Sequence, residues 1–317
     1  MVTYSLEKDV PTEDVAVESE EYCFDFGTHT RATAKDTGPL FPPVLYREQG
    51  HYEPVLGRSQ VLWCRDKGVR IPALLVLEGP SPGLDAVRFS VLLKQALGGF
   101  SVVEKSIALR RLKVLSPRIE DEILDMLGVP RNESMVQNMI TLADAPIAIK
   151  QLVHEGVMHE NTAFEIFKMA RELWQPVARF ICTVPLGTKK RNEVVSMLRD
   201  IARRDGREIS DLLENSQIRD ILRARDIDPP QRGERLYNYV RALRYPSVHE
   251  FRQRFDTKLR EVHLDRQFHL ILPENFERWE FKLVVPFSSA EEFQKHVEEL
   301  RKTAEGGPFK DLMDMRY

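Results

Sequence analysis

Polar side chains between positions 131 and 138 have the chemistry that contact with nucleic acid requires. The set consists of Arg131, Asn132, Ser134, Gln137 and Asn138. Amide and hydroxyl groups form hydrogen bonds with base edges and phosphate oxygens, and arginine also pairs with phosphate. Arg131 is the only cation of this stretch, and the neighbouring Glu133 repels phosphate. On the exposed side of a helix, these residues are expected to contact double-stranded DNA.

A second set of candidate DNA contacts is cationic. It consists of Lys189, Lys190 and Arg191. The set lies in a segment, residues 181–260, that carries 18 basic and 12 acidic side chains, although the whole chain has a net charge of −3. A basic segment attracts a polyanion such as DNA. The alternative is a group of solvated helix faces with ion pairs at i,i+4 spacing, such as Asp200 with Arg204.

The first polar set falls in a segment, Ile119–Leu142, whose pattern predicts two helices joined by a tight turn. Apolar residues recur at helical spacing on both sides of Gly128, which is free to adopt the positive φ of a helix end. Val129 and Pro130 continue the turn, and Asn132 is suited to cap the second helix. Such a unit is typical of the helix-turn-helix, whose second helix enters the DNA major groove. An ordinary helical hairpin is the alternative, because such hairpins are common.

A turn with the chemistry of a phosphate site begins another predicted helix further upstream. Gly57, Arg58 and Ser59 would present backbone N–H groups and a cation at the N-terminus of this helix. The helix is predicted to run to about Lys67 and to stop at Gly68. The predicted strands around it are Val44–Tyr46, Tyr52–Leu56 and Ile71–Leu77. These elements predict a small mixed α/β domain with an anion-binding turn.

The order of these pieces resembles ParB-type partition proteins, which combine a ParB/sulfiredoxin-fold N-terminal domain with a helix-turn-helix domain. The resemblance rests on four stretches: YEPVLGR with the IPALLV strand, FSVVEKSIALRRL with its cap Ser101 and first-turn Glu104, LGVPRNESMVQNMITLADAP, and HEGVMHENTAFEIFKMA. It covers residues 41–170, about half of the chain. It implies binding to double-stranded DNA, a homodimer, a partition ATPase as partner, and CTP as the ligand of Gly57, Arg58 and Ser59.

Two departures from the family pattern argue against nucleotide hydrolysis. The family turn is of the Gly-Glu-Arg-Arg type, whereas the turn Gly57–Gln60 keeps one arginine. The family's Glu-Asn-x-x-Arg motif supplies a carboxylate for Mg²⁺, but the comparable stretch Leu92–Gly98 reads LLKQALG. Sulfiredoxin chemistry needs a cysteine in the phosphate turn, and Cys64 lies about two helical turns further on. We therefore expect no catalytic residues, and CTP stays a candidate ligand.

Length and composition favour a protein of the cytoplasm with several domains. The chain has 317 residues, 42% of them hydrophobic, which suffices for two or three domains. Cys23, Cys64 and Cys182 are few and far apart, which indicates a reducing compartment. No Cys or His spacing suits zinc, no apolar run reaches the roughly 18 residues of a membrane span, and the N-terminus lacks a signal-peptide layout. We expect a nucleoid-associated protein without a metal site or a membrane partner.

The predicted fold class is α+β and mostly helical. The expected segments are a flexible acidic N-terminal segment (1–35), a ParB-like domain (36–100), a helix-turn-helix domain (101–180), a helical extension (181–262) and a C-terminal ββα unit (263–317). The last unit has two strands within Phe268–Phe287 and a helix that Ser288 and Ser289 cap. The apolar stripe of this helix is Phe293, His296, Val297 and Leu300. Because a hairpin with one helix is too small to be stable alone, it is expected to pack on the preceding helices or on a second copy.

Three functions stay open. The first is a ParB-like DNA-binding protein in chromosome or plasmid partition or in transcriptional regulation, and the exposed polar residues of the second helix favour it. The second is a CTP-dependent switch or nuclease on the same fold, which needs a carboxylate near Lys94 and Gln95. The nearest carboxylates along the chain are Asp85 and Glu104. The third is a non-catalytic interaction protein with the ParB architecture, which the weak positive charge of the second helix favours.

Overall fold

The computed structural model describes residues 3–17, 24, 26, 42–48, 51–78, 82–97, 99–116, 118–265, 267–271 and 280–315. These residues form an α+β protein that is mostly helical, so the predicted fold class is confirmed. The chain divides into two compact units, Met1–Val195 and Ser196–Tyr317, a coarser division than the five predicted segments. Cys23 lies outside the described residues.

The first unit contains a four-stranded sheet in the order β1-β4-β2-β3. Its strands are β1 (Thr3–Val10), β2 (Val44–Glu48), β3 (His51–Leu56) and β4 (Ile71–Glu78). β2 pairs antiparallel with β3 and parallel with β4, and β1 pairs antiparallel with β4. A parallel pair requires a long connection, and helix α1 (Arg58–Asp66) lies within it. Leu45, Val61 and Ile71 are buried together in the core that the sheet and α1 share.

The predictions for this part of the chain are confirmed to within two residues at each element end. Gly57 precedes α1 with φ 83°, and Gly68 follows it with φ 64°. Both angles lie in the left-handed region that glycine adopts without a steric cost. The boundaries could be predicted because such local residues fix where the helix begins and ends.

The flexible segment predicted for residues 1–35 is wrong for residues 3–17. Thr3–Val10 form β1, which pairs along its length with β4, from Thr3 opposite Glu78 to Val10 opposite Ile71. Val15 and Val17 are also buried. The segment is polar and acidic, and most of its described side chains are exposed, but backbone pairing with β4 holds it at the edge of the sheet.

Helices make up most of the remaining chain. In the first unit, they are α2 (Pro82–Leu97), α3 (Val102–Leu115), α4 (Asp121–Leu127), α5 (Glu133–Ala143), α6 (Ile147–His154), α7 (Glu160–Ile166), α8 (Trp174–Thr183) and α9 (Thr188–Asp205), the last of which continues into the second unit. Ser101 caps α3 in a capping box with Glu104, as predicted. Helix α3 contacts α2, α5 and α6, and its Ala108 and Leu109 are fully buried.

The second unit combines helices with a two-stranded sheet. Its elements are α10 (Ile209–Leu213), α11 (Ser216–Arg223), α12 (Pro229–Arg244), α13 (Pro246–Glu261), β5 (His269–Ile271), β6 (Lys282–Val284), α14 (Ala290–Glu305) and α15 (Gly307–Asp314). Phe251, Phe255 and Leu312 form its core. Ser289 caps α14, and β5 pairs antiparallel with β6, so the two strands and the helix predicted for the C-terminal unit are present, whereas α15 was not predicted.

We predict that Gly57→Ala destabilises the protein more than Gly68→Ala. Both positions have positive φ, where a side chain costs about 1–2 kcal/mol. A Cβ atom at Gly57 would also lie 3.1 Å from Pro43 Cα and 2.8 Å from Gln60 Oε1, whereas nothing lies within 4 Å of one at Gly68. Urea unfolding measures both losses of unfolding free energy. Equal losses would show that the space around Gly57 is not restrictive.

Candidate nucleic-acid interface

The segment Ile119–Leu142 forms two helices, α4 and α5, separated by a turn as predicted. Gly128 ends α4 with φ 61° and ψ 38°, so the chain turns where a left-handed residue is required. Asn132 begins α5, and its Oδ1 accepts a hydrogen bond from the Met135 N–H at 3.1 Å. The geometry of a glycine stop followed by an amide cap is therefore the one that the sequence predicts.

The inner side of this hairpin packs on α3 and α2. Helix α5 contacts α3, and helix α4 contacts α2. Leu127, Met139 and Leu142 are buried, whereas Met135 and Val136 in the first turn of α5 are half-buried. Packing on α3 fixes which face of α5 can meet a partner.

The outer side of α5 carries free polar side chains. Ser134 and Gln137 are exposed and Asn138 is half-buried. These three residues lie at helical spacing on one face. Within the described residues, their side chains make no hydrogen bonds. Their donors and acceptors are therefore available for base edges or phosphate oxygens.

Arg131 does not stand alone in the turn before α5. Its Nε lies 3.0 Å from Asp125 Oδ1, its Nη2 also bonds that carboxylate, and its Nη1 lies 3.4 Å from Asp121 Oδ2. The hydrogen bond from Arg131 holds the pKa of the Asp125 carboxyl below its usual range. The predicted cation of the interface is thus already neutralised by two carboxylates of α4.

The hairpin as a whole is acidic. Residues 119–142 carry five carboxylates and one cation, a net charge of −4. This charge opposes approach to a polyanion at long range. Any contact of α5 with DNA must therefore rely on hydrogen bonds at close range and on cations elsewhere in the protein.

The basic set at the start of α9 divides into two kinds of residue. Lys189 is exposed and Lys190 is half-buried. Arg191 instead donates to the Val157 carbonyl at 3.0 Å and to the Val184 carbonyl at 3.2 Å. Its guanidinium connects α9 to two preceding loops, so part of its hydrogen-bonding capacity is used within the protein.

The predicted phosphate turn forms the N-terminus of α1. Gly57 is buried there in the left-handed conformation, and Arg58 and Ser59 are half-buried. The Arg58 Nε donates to the Val17 carbonyl at 2.6 Å. This bond ties the guanidinium to the N-terminal segment and turns part of its hydrogen-bonding capacity away from a ligand. Gln60 is also buried, with no partner for its Oε1 among the described residues.

A buried ion pair occupies the region where nucleotide hydrolysis would need a metal-binding carboxylate. The Lys94 Nζ lies 2.6 Å from Glu104 Oε1, and Glu104 is 3% exposed. The same carboxylate accepts hydrogen bonds from the backbone N–H groups of Ser101 at 2.8 Å and Phe26 at 3.3 Å. Burial favours the neutral acid, but the charge and hydrogen bond of Lys94 and the bonds from Ser101 outweigh it, and the pKa of Glu104 is lowered.

Sequence reasoning identified Glu104 as a capping residue but missed its partner. Sequence spacing does not predict an ion pair between residues that are ten positions apart on different helices. An acid and a lysine among apolar helix residues nevertheless indicate that the two charges can be buried as a pair. In the structure, the ammonium of Lys94 pairs with the carboxylate of Glu104 at this position. Because the carboxylate is buried and paired, it offers no open ligand to a metal ion.

The chain matches no model of a known protein family, and no curated protein matches it significantly. Within the described ranges, every helix is too short or too polar to cross a bilayer. The same part of the chain contains no group of three His, Cys, Asp or Glu side chains arranged to hold a metal ion.

We predict that Lys94→Met lowers the unfolding free energy by about 3 kcal/mol or more, because it leaves the Glu104 carboxylate buried without its ammonium. Lys168→Met is the control, since Lys168 pairs with Glu165 on the surface, where ion pairs contribute little. Chemical denaturation of both variants measures the difference. If both variants lose the same unfolding free energy, the buried pair contributes no more to stability than the surface pair.

The same pair predicts a dependence on pH. Since the pKa of Glu104 is lower in the folded protein, its contribution is complete above the unfolded pKa and is lost as the pH falls through the folded one. The loss of stability on acidification should be smaller in Lys94→Met than in the natural chain. If stability falls with pH in the same way in both proteins, carboxylates other than Glu104 cause the loss on acidification.

Proposed function

We propose that this chain is a ParB-like DNA-binding protein and that α5 is its recognition helix. The observation that carries the proposal is the row of polar side chains, Ser134, Gln137 and Asn138, on the outer face of the second helix of the α4–α5 hairpin. Amides are suited to adenine edges, and hydroxyl groups to several base or phosphate partners. A protein of this kind acts on nucleoid DNA in partition or transcription, with a partition ATPase as a candidate partner.

The order of elements supports the proposal. A small sheet with a glycine-started helix precedes α3, whose capping box introduces the helical part, and the hairpin α4–α5 follows. The ion pairs of Arg131 do not prevent a role in binding. They lie at the surface, where exposed pairs contribute little and a phosphate can take the place of a carboxylate. Lys189 supplies an exposed cation.

A non-catalytic interaction protein is the second candidate. The net charge of −4 on residues 119–142 favours it, since a hairpin of this charge suits a basic protein surface better than DNA. In that case, the polar row on α5 would contact another protein. A titration with duplex DNA separates the two candidates.

A nucleotide-dependent enzyme is not proposed. Arg58 is the one cation left in the phosphate turn, and its Nε already donates to Val17. The comparable position for a metal-binding carboxylate has Lys94, which pairs with Glu104. CTP stays a candidate ligand of Gly57, Arg58 and Ser59 through backbone N–H groups at the N-terminus of α1.

We also propose that the protein is a homodimer through its C-terminal unit. Phe293 and Val297 lie one turn apart on α14 and are 44% and 48% exposed. Phe287 is 57% exposed, and its ring lies 4.8 Å from that of Phe293. Ile271 and Leu283 add exposed apolar surface on the short sheet. A second copy of this surface would cover it and extend a sheet whose strands have three residues each.

We predict that the chain binds duplex DNA and that Gln137→Ala with Asn138→Ala reduces its sequence preference, by about 1–3 kcal/mol for each base that an amide no longer recognises. Lys189→Ala with Lys190→Ala should instead weaken binding to all sequences alike. Fluorescence anisotropy over random and genomic duplexes, at low and physiological salt, measures both effects.

The control for the recognition helix is Gln151→Ala with Asn161→Ala, which removes two exposed amides from other helices of the same unit. It should leave the sequence preference unchanged. No binding by the natural chain even at about 50 mM salt, where the electrostatic attraction is strong, would refute the DNA-binding proposal and favour the interaction protein.

We predict that Phe293→Asp with Val297→Asp converts a dimer into a monomer, because carboxylates in the paired apolar surface lose hydration without gaining partners. Light scattering after size exclusion measures the mass, and circular dichroism checks that the helices persist. Val114→Asp is the control, since Val114 on α3 is 69% exposed and lies outside this surface. A monomeric natural chain, or a double variant that still dimerises, would disprove the proposed interface.

A further inference from the structure

Helices α12 and α13 enclose a polar groove in the second unit that neither the recognition helix nor the proposed dimer surface uses. The groove has a volume of about 380 Å³. Its polar lining includes Asn238, Arg241, Tyr245, His249, Arg252 and Gln253. Asp256 is the one carboxylate among its lining residues. A groove of this composition presents hydrogen-bond donors and cations to its occupant.

The corner that shapes the groove is fixed by hydrogen bonds. Tyr245 ends α12 and precedes Pro246 at the start of α13, so the chain must change direction there. The Arg204 guanidinium donates to the Leu243 and Arg244 carbonyls, both at 2.9 Å, which satisfies the free end of α12. The Arg244 Nε lies 3.2 Å from Asp200 Oδ2. The backbone corner between the two helices is therefore held by contacts within the protein.

The opposite faces of both helices belong to the core. Leu236 and Val240 of α12 are fully buried, as are Phe251 and Phe255 of α13. The groove residues follow a different stripe of the same helices, at i,i+3 and i,i+4 spacing. Core packing thus explains the apolar residues on one side of each helix, but it does not explain the polar residues on the groove side.

The electrostatics of the helix pair point to an anion. Residues 229–261 contain eight basic and four acidic side chains, a net charge of +4. Arg252 is exposed and makes no ion pair within the described part of the chain. The adjacent Gln253 bonds His249 at 3.0 Å and keeps further hydrogen-bonding capacity. Arginine, amide and tyrosine side chains together are the groups that proteins use to contact DNA phosphates.

We propose that the groove between α12 and α13 binds the phosphate backbone of duplex DNA as a contact separate from the recognition helix. The inference rests on the proposed function, because the hairpin α4–α5 is acidic and needs a cationic site elsewhere in the chain to hold a polyanion. The groove reads no sequence. It contributes affinity and salt dependence, while α5 contributes preference.

The test uses the full chain with Arg252→Ala and, separately, Arg252→Glu, in anisotropy titrations with duplexes of random and of preferred sequence. Arg252→Ala is expected to weaken binding to every duplex about tenfold at low salt and to reduce the slope of log affinity against log salt by about 0.9. Arg252→Glu should weaken it further. Arg260→Ala is the matched control, since it removes the same charge from an exposed site on α13 outside the groove.

The outcomes distinguish the groove from the recognition helix. Equal effects of Arg252→Ala and Arg260→Ala would show a diffuse charge effect and overturn the groove. An unchanged affinity in Arg252→Ala, with preference still abolished in Gln137→Ala with Asn138→Ala, would overturn the groove and leave the recognition helix in place. Weaker binding by Arg252→Ala, with an unchanged sequence preference in Gln137→Ala with Asn138→Ala, would support the groove and contradict the proposed role of α5.

Discussion

The first unit depends on the hydrogen bonds and the ion pair that replace water around the buried carboxylate of Glu104. A carboxylate with 3% exposure is costly unless donors replace the water around it. Three groups do so: the ammonium of Lys94, the backbone N–H of Ser101 and the backbone N–H of Phe26. They come from α2, from the cap of α3 and from the N-terminal segment. One side chain thereby fixes how these three parts of the chain meet.

The consequences extend to the candidate interface through α3. The Ser101 hydroxyl that caps this helix also lies 3.3 Å from His154 Nδ1, at the end of α6. Phe26 contacts the His154 ring edge-on, at 5.3 Å between centroids. Because α5 packs on α3, the orientation of its polar row depends on interactions far from Gln137. A change that exposes Glu104 to water would therefore disturb the interface without touching it.

Local signals explain how much of this architecture could be predicted from the sequence. Gly128, Asn132 and Ser289 mark their helix ends with groups that act within four residues, and the structure places the ends there. Strand β1 could not be predicted in this way, because its partner β4 lies more than 60 residues away. The ion pairs and hydrogen bonds of Arg131 and Arg191 could not be predicted either. The sequence shows a charge, but only the fold shows which carbonyl or carboxylate it meets.

Strand β4 has a consequence for the order in which the chain folds. It is the last strand of the first sheet along the sequence, yet it lies between β1 and β2. During synthesis, the β2–β3 hairpin can form from neighbouring residues, whereas β1 leaves the ribosome long before its partner β4 exists. Until Glu78 has emerged, the backbone groups of Thr3–Val10 and one edge of β2 stay open to other chains. The interval between the synthesis of the first strand and the fourth is therefore one in which these edges can pair with other chains.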